Sequence, residues 1–297
     1  MKTISICFLL LFSVIVSAQN IQSDSLGLAI APGLTPVIAN GQTEIGFFNA
    51  CSSYRTDDTS GYRAAQLVSI LQLQRGISKQ NRFSVGLDLQ FSNLRFGPGS
   101  EVGPFEALGS MPETGVGVHS LSAVGLRARY VPFIRHYEFT LQSALYFPTS
   151  SKEKRLVLGE DRIRFSIQGN YATLFAPGWY FVGQLNPQVR FSNDTRKQTT
   201  WELPVNVYVV KRVLSTFSGQ RLYLFVNAGY YSSFEKRYKA GLRQVDWLLN
   251  AGAGAQWVFG PQWSLSLGWQ GLPAFDETLG IKKGSYGAIL LGARCAF

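Results

Sequence analysis

The sequence predicts an all-β fold, a transmembrane up-and-down antiparallel β-barrel of about twelve strands. Three observations predict it: long segments of apolar/polar alternation, connections that switch between short and long, and a composition poor in charge. Only 15% of the 297 residues are Asp, Glu, Lys or Arg, against roughly 25% in a typical soluble domain. Aromatic residues make up 13% of the chain and glycine contributes 30 residues. Such a composition excludes a disordered tail or a coiled coil.

The first element is a targeting segment. Lys2 precedes an apolar run from Ile4 to Val16, and Val16-Ser17-Ala18 ends it with small residues. This is the pattern of a cleaved signal peptide over residues 1–18, cut between Ala18 and Gln19. The run falls short of the roughly 20 apolar residues of a transmembrane helix. Residues 19–42 are expected to form an N-terminal periplasmic segment, or a small plug that Leu28, Ile30 and Leu34 help to pack. Residues 43–297 are the barrel.

Within the barrel, Phe83, Val85, Leu87, Leu89 and Phe91 interleave with Ser84, Gly86, Asp88 and Gln90. Trp263, Leu265, Leu267 and Trp269 alternate in the same way with Ser264, Ser266, Gly268 and Gln270. An extended strand sends alternate side chains to opposite faces, so each segment has one apolar and one polar-or-small face. In chain order the segments lie near 43–56, 62–76, 81–96, 118–131, 134–148, 162–175, 179–192, 200–214, 220–233, 244–259, 263–273 and 284–297. Short links follow the second, fourth, sixth, eighth and tenth segments, at 77–80, 132–133, 176–178, 215–219 and 260–262. The other links are mostly longer, and the longest runs from Gly97 to Gly117. Membrane barrels have this asymmetry, with their short turns on the periplasmic side.

Segment length points the same way. Many segments run well past the roughly 5–6 residues of a mean globular strand, as a tilted strand crossing a bilayer of about 9–11 residues requires. Rings close several apolar faces, as with Trp247 and Trp257 or Tyr137 and Phe147, where aromatic side chains favour the membrane interface. A secreted β-sandwich would also alternate. It would not need alternating short and long links, and an open sheet this long would leave apolar edges that closure removes.

The last segment, Gly287-Ala288-Ile289-Leu290-Leu291-Gly292-Ala293-Arg294-Cys295-Ala296-Phe297, alternates and ends on an aromatic residue. It resembles the closing strand of Gram-negative outer-membrane β-barrels, whose assembly machinery reads a terminal aromatic. The chain as a whole resembles small barrels of Bacteroidota outer membranes. A weaker likeness extends to the transporter-like barrels grouped with phenol meta-pathway degradation proteins. The resemblance implies residence in the cell outer membrane, among its lipids and lipopolysaccharide. It carries over no ligand-binding residue.

Candidate functional residues lie on the inward face. Arg127, Arg129, His136 and Glu138 are expected to meet near the periplasmic end, and Arg162, Arg164, Arg190 and Glu202 near the outer end. Each group includes a carboxylate, and arginine outnumbers it. Two readings follow: a structural filling of paired charges, or a constriction favouring anions. Twelve strands give a backbone diameter of roughly 24 Å and an aperture near 10 Å. The expected function is a passive, transporter-like channel for small, anionic solutes of unknown identity. The alternative is a non-conducting barrel with a structural or surface-binding role through its long outer loops.

Other classes find little support. His119 and Ser120–Ser122 lie on opposite faces, and His136 is followed by Tyr137, so no same-strand base serves a nucleophilic serine. No enzyme activity, cofactor or metal is expected, and the net charge of +10 is spread too evenly for a nucleic-acid surface. Cys51 and Cys295 fall on the first and last strands at different heights and are expected to be two free thiols.

Overall fold

A computed structural model describes residues 38–56, 61–98, 105–108, 116–133, 138–192, 198–216, 219–237, 241–260, 262–279 and 281–297. The expected signal peptide, most of segment 19–42, and His136 lie outside the described residues. The strands are β1 (Thr43–Arg55), β2 (Tyr62–Gly76), β3 (Phe83–Pro98), β4 (Val116–Tyr130), β5 (Phe139–Pro148) and β6 (Arg164–Ala176). They continue as β7 (Trp179–Leu185 with Gln188–Arg190), β8 (Thr200–Glu202 with Val205–Ser215), β9 (Gln220–Arg237), β10 (Gly241–Phe259), β11 (Trp263–Phe275) and β12 (Gly287–Ala296). One helix, α1 (Lys152–Leu158), lies between β5 and β6. Each strand pairs antiparallel with its chain neighbour, and β12 pairs with β1, from Glu44 opposite Ala296 to Ser53 opposite Gly287. The sheet closes into a twelve-stranded barrel, as expected.

Two strands depart from the simple pattern. Asn186-Pro187 interrupts β7 and Leu203-Pro204 interrupts β8, because proline has no N–H to give the ladder. The breaks stay short because the proline carbonyls still accept, Pro187 from Ile167 at 3.0 Å and Pro204 from Asn186 at 2.9 Å. The β9–β10 hairpin reaches farther than its alternation suggested, to Arg237 opposite Gly241. At the opposite end the turns are tight. Gly178 lies between β6 and β7 with φ +71°, a left-handed conformation that suits glycine.

Burial follows the alternation and identifies the solvent on each side. Leu126, Val226, Leu267 and Trp269 are each more than half exposed and point outward. A soluble protein does not display a continuous belt of this kind, whereas a lipid-facing wall requires one. Around the short-turn end the belt finishes in rings: Trp257 stacks on Phe259 at 4.8 Å, Phe83 meets Tyr130, and Lys211 lies over Trp179 at 4.7 Å. Inside, three large rings lie flat along the wall, over glycines of neighbouring strands. Tyr146 covers Gly125, Phe225 covers Gly254, and Phe48 covers Gly292. A Cβ at Gly125 would meet the Tyr146 ring at 2.5 Å. Gly125→Ala should therefore cost about 1–3 kcal/mol through overpacking, read as a lower urea midpoint; an unchanged midpoint would refute this packing role.

The seam also settles the cysteines. Cys51 stands opposite Ile289 and Cys295 opposite Ile45, six rungs apart along one strand pair. No disulfide joins them. At the short-turn end, Ile38 is buried and Gly41 donates to the Gly76 carbonyl at 2.9 Å, tying the start of the described chain beside β2.

Candidate functional site

Inward-facing residues form two charge clusters at different heights. The lower one lies toward the short turns and is built on a single register row. Gly125 of β4 stands opposite Asp88 of β3 and Tyr146 of β5, which leaves space for the side chains beside it. Arg127 donates Nε to both Asp88 oxygens, at 3.1 and 3.0 Å, and its Nη2 completes the ion pair. The same Nη2 donates to Tyr146 Oη at 2.7 Å, and Tyr146 donates to Asp88 Oδ2 at 2.5 Å. Next to this triad, Arg129 donates to Gln142 Oε1 at 3.0 Å. Across the seam, Arg294 of β12 donates to Glu44 of β1 at 2.6 Å.

The charges of this lower level are buried. Asp88 is 0% exposed and Arg129 1%. On the facing side of the bore the wall turns apolar, with Tyr180, Val182, Tyr208, Val210, Tyr223, Phe225 and Val258 in one cluster. Buried charges persist in such a place only when paired and hydrogen-bonded.

The upper cluster lies toward the long loops and is more open. Arg190 of β7 and Glu202 of β8 form an ion pair at 2.5 Å, with side chains 20% and 7% exposed. Arg164 stands opposite Arg190 in the register. Arg164 stacks over the Tyr146 ring at 4.6 Å and pairs with Glu160 at 3.4 Å. Arg162 donates to Gln198 O at 2.9 Å and Thr200 Oγ1 at 2.7 Å, and lies 3.6 Å from Asp161. Burial, followed by the charge of Arg190, pulls the Arg162 guanidinium below its usual pKa, while Glu202 opposes the shift. Beyond Glu202, Ser233 donates to Asp246 at 3.2 Å.

The structure therefore brings together Arg127 and Arg129 below, and Arg162, Arg164, Arg190 and Glu202 above. The carboxylate that holds Arg127 is Asp88. Glu138 sits just before β5, where its backbone carbonyl accepts from Ala172. The expected excess of arginine in the upper cluster is corrected: Glu160, Asp161, Glu202 and Asp246 accompany three guanidinium groups. Sequence reasoning missed Glu44, Glu160 and Tyr146 as partners. Glu44 shares the inward parity of Gly46 and Phe48, which could have revealed it. Glu160 lies in a loop, where no periodicity assigns a direction.

A family model described as "Putative MetA-pathway of phenol degradation" matches residues 113–278, more than half of the chain. The chain belongs to this family. The matched region carries the upper cluster together with Arg127, Arg129 and Tyr146, while Glu44, Asp88 and Arg294 lie outside it. Among solved structures, this phenol-degradation family member is similar to an outer-membrane channel from Pseudomonas putida F1. The two share 14% identity at a TM-score of 0.61, over 90% of this chain and 100% of that chain. It is also similar to the β domain of the Bordetella autotransporter BrkA, at 12% identity and a TM-score of 0.57, over 87% and 100% of the respective chains. At these identities the likeness is one of fold. No curated protein matches the sequence.

Proposed function

We propose that this member of the phenol-degradation family is an outer-membrane channel that passes small polar solutes passively. One observation carries the reading: a closed barrel with a lipid-facing exterior encloses a bore lined by solvent-accessible, paired charges at its loop end. The short turns face the periplasm and the long loops face outward, among lipopolysaccharide headgroups. The balance of charge in the upper cluster removes the basis for a strong anion preference.

The buried charge pairs of the lower level favour a second reading, a barrel that does not conduct and acts through its loops. Residues 105–108 place Ala107 against Ala65 and Leu67 on the outer wall, so this part of the longest loop leaves the bore uncovered. The full chain, refolded and inserted into a planar bilayer, should give stable conductance steps. Silence from a demonstrably folded barrel would overturn the channel and leave the loop-based role.

A further inference from the structure

The loop between β5 and β6 sends its tip into the bore. After α1, Glu160 accepts from Gln90 Nε2 at 3.1 Å, and Arg164 Nη2 donates to Gln90 Oε1 at 3.0 Å. Gln90 belongs to β3 and Arg164 to β6, so these bonds staple the tip across a quarter of the twelve-stranded wall. Arg190 of β7 donates Nη1 to the Gly159 carbonyl at 2.9 Å, which anchors the tip from the other side. Two ion pairs, Arg164–Glu160 and Arg190–Glu202, thus lie side by side, with the two arginines opposite one another in the register. Their side chains keep 7–20% of their exposure, in contrast to 4% and 0% for Arg127 and Asp88.

We propose that this loop tip is a binding station for small dipolar solutes, which carry an ammonium and a carboxylate a few ångströms apart. The inference rests on the channel reading and names the solute class that reading leaves open. A solute of one charge could bind only by displacing one partner of a pair, and the displaced partner would be left without its counter-charge in a partly desolvated place. A dipolar solute exchanges with both partners together. Its carboxylate takes the guanidinium donors of Arg190 and Arg164, and its ammonium takes Glu160 and Glu202. Planar bidentate donors suit the carboxylate end. The sealed pair below is out of reach, so the selection belongs to the upper level alone.

Proteoliposomes holding the full chain test this by swelling in glycine, acetate, ethylammonium and arabinose. Glycine should enter faster than either singly charged solute, by about fivefold, the scale of a partly exposed ion pair. Glu160→Gln with Glu202→Gln keeps the hydrogen-bonding groups and removes the negative charges. That variant should lose the glycine preference and admit acetate faster. Equal swelling in glycine and acetate, with arabinose entering, would overturn the station and leave the channel standing. If arabinose is also excluded, the channel reading fails. Calorimetric titration of the solubilised barrel with glycine then decides the station: saturable heat that Glu160→Gln with Glu202→Gln abolishes supports it, and no heat overturns it.

Discussion

Asp88→Ala should cost about 3–5 kcal/mol, the penalty for leaving a buried guanidinium without its carboxylate. Three groups depend on that side chain. Arg127 loses its bidentate acceptor and Tyr146 loses the oxygen to which it donates at 2.5 Å. The Tyr146 ring in turn supports Arg164 from below, so the damage should reach the upper cluster. The measurement is the urea midpoint of the refolded barrel, followed by the gel shift of unheated samples. Asp88→Leu with Arg127→Met should recover most of the loss, because removing both charges leaves neither unpaired. A loss under about 1 kcal/mol for Asp88→Ala would show that the triad contributes no more than an exposed pair.

Arg164→Ala with Arg190→Ala should turn the channel toward cations. Both guanidinium groups leave, while Glu160 and Glu202 stay in the bore with Asp161 and Asp246 beside them. A unit charge 4 Å from a permeating ion is worth about 1 kcal/mol in water. Two such changes alter the cation-to-anion ratio by roughly tenfold or more. The reversal potential in a salt gradient reads this directly. An unchanged potential would place the permeation path away from this cluster.

Most of the fold was legible because a membrane barrel writes its architecture into a period of two. β2 runs over Tyr62–Gly76 as its alternation predicted, and β12 pairs with β1 as closure of the expected barrel requires. The breaks in β7 and β8 were less legible, since Pro187 and Pro204 sit in runs whose alternation continues past them. The candidate site was legible as a set of inward residues and not as a set of partners. Alternation gives the face of Arg127, and Asp88 had the same face. Pairing them needs the β3–β4 register, which the extra residue of the bulge at Ser122 adjusts. Glu160 was hidden for a different reason: it lies in a loop, and its direction is set by Gln90, 70 residues away in sequence, together with Arg164, its i+4 neighbour.

The seam has a kinetic meaning. Glu44 and Arg294, which join β1 to β12, stand 250 residues apart in the chain. The other strand pairs follow one another along the chain and close far smaller loops. Bringing such distant partners together costs loop-closure entropy that no local contact repays in advance. The first strand must therefore wait, with one edge unpaired, until the last arrives. During that wait its ladder is open to strands of other chains, and slow insertion should show itself as aggregation at the β1 edge rather than as general misfolding.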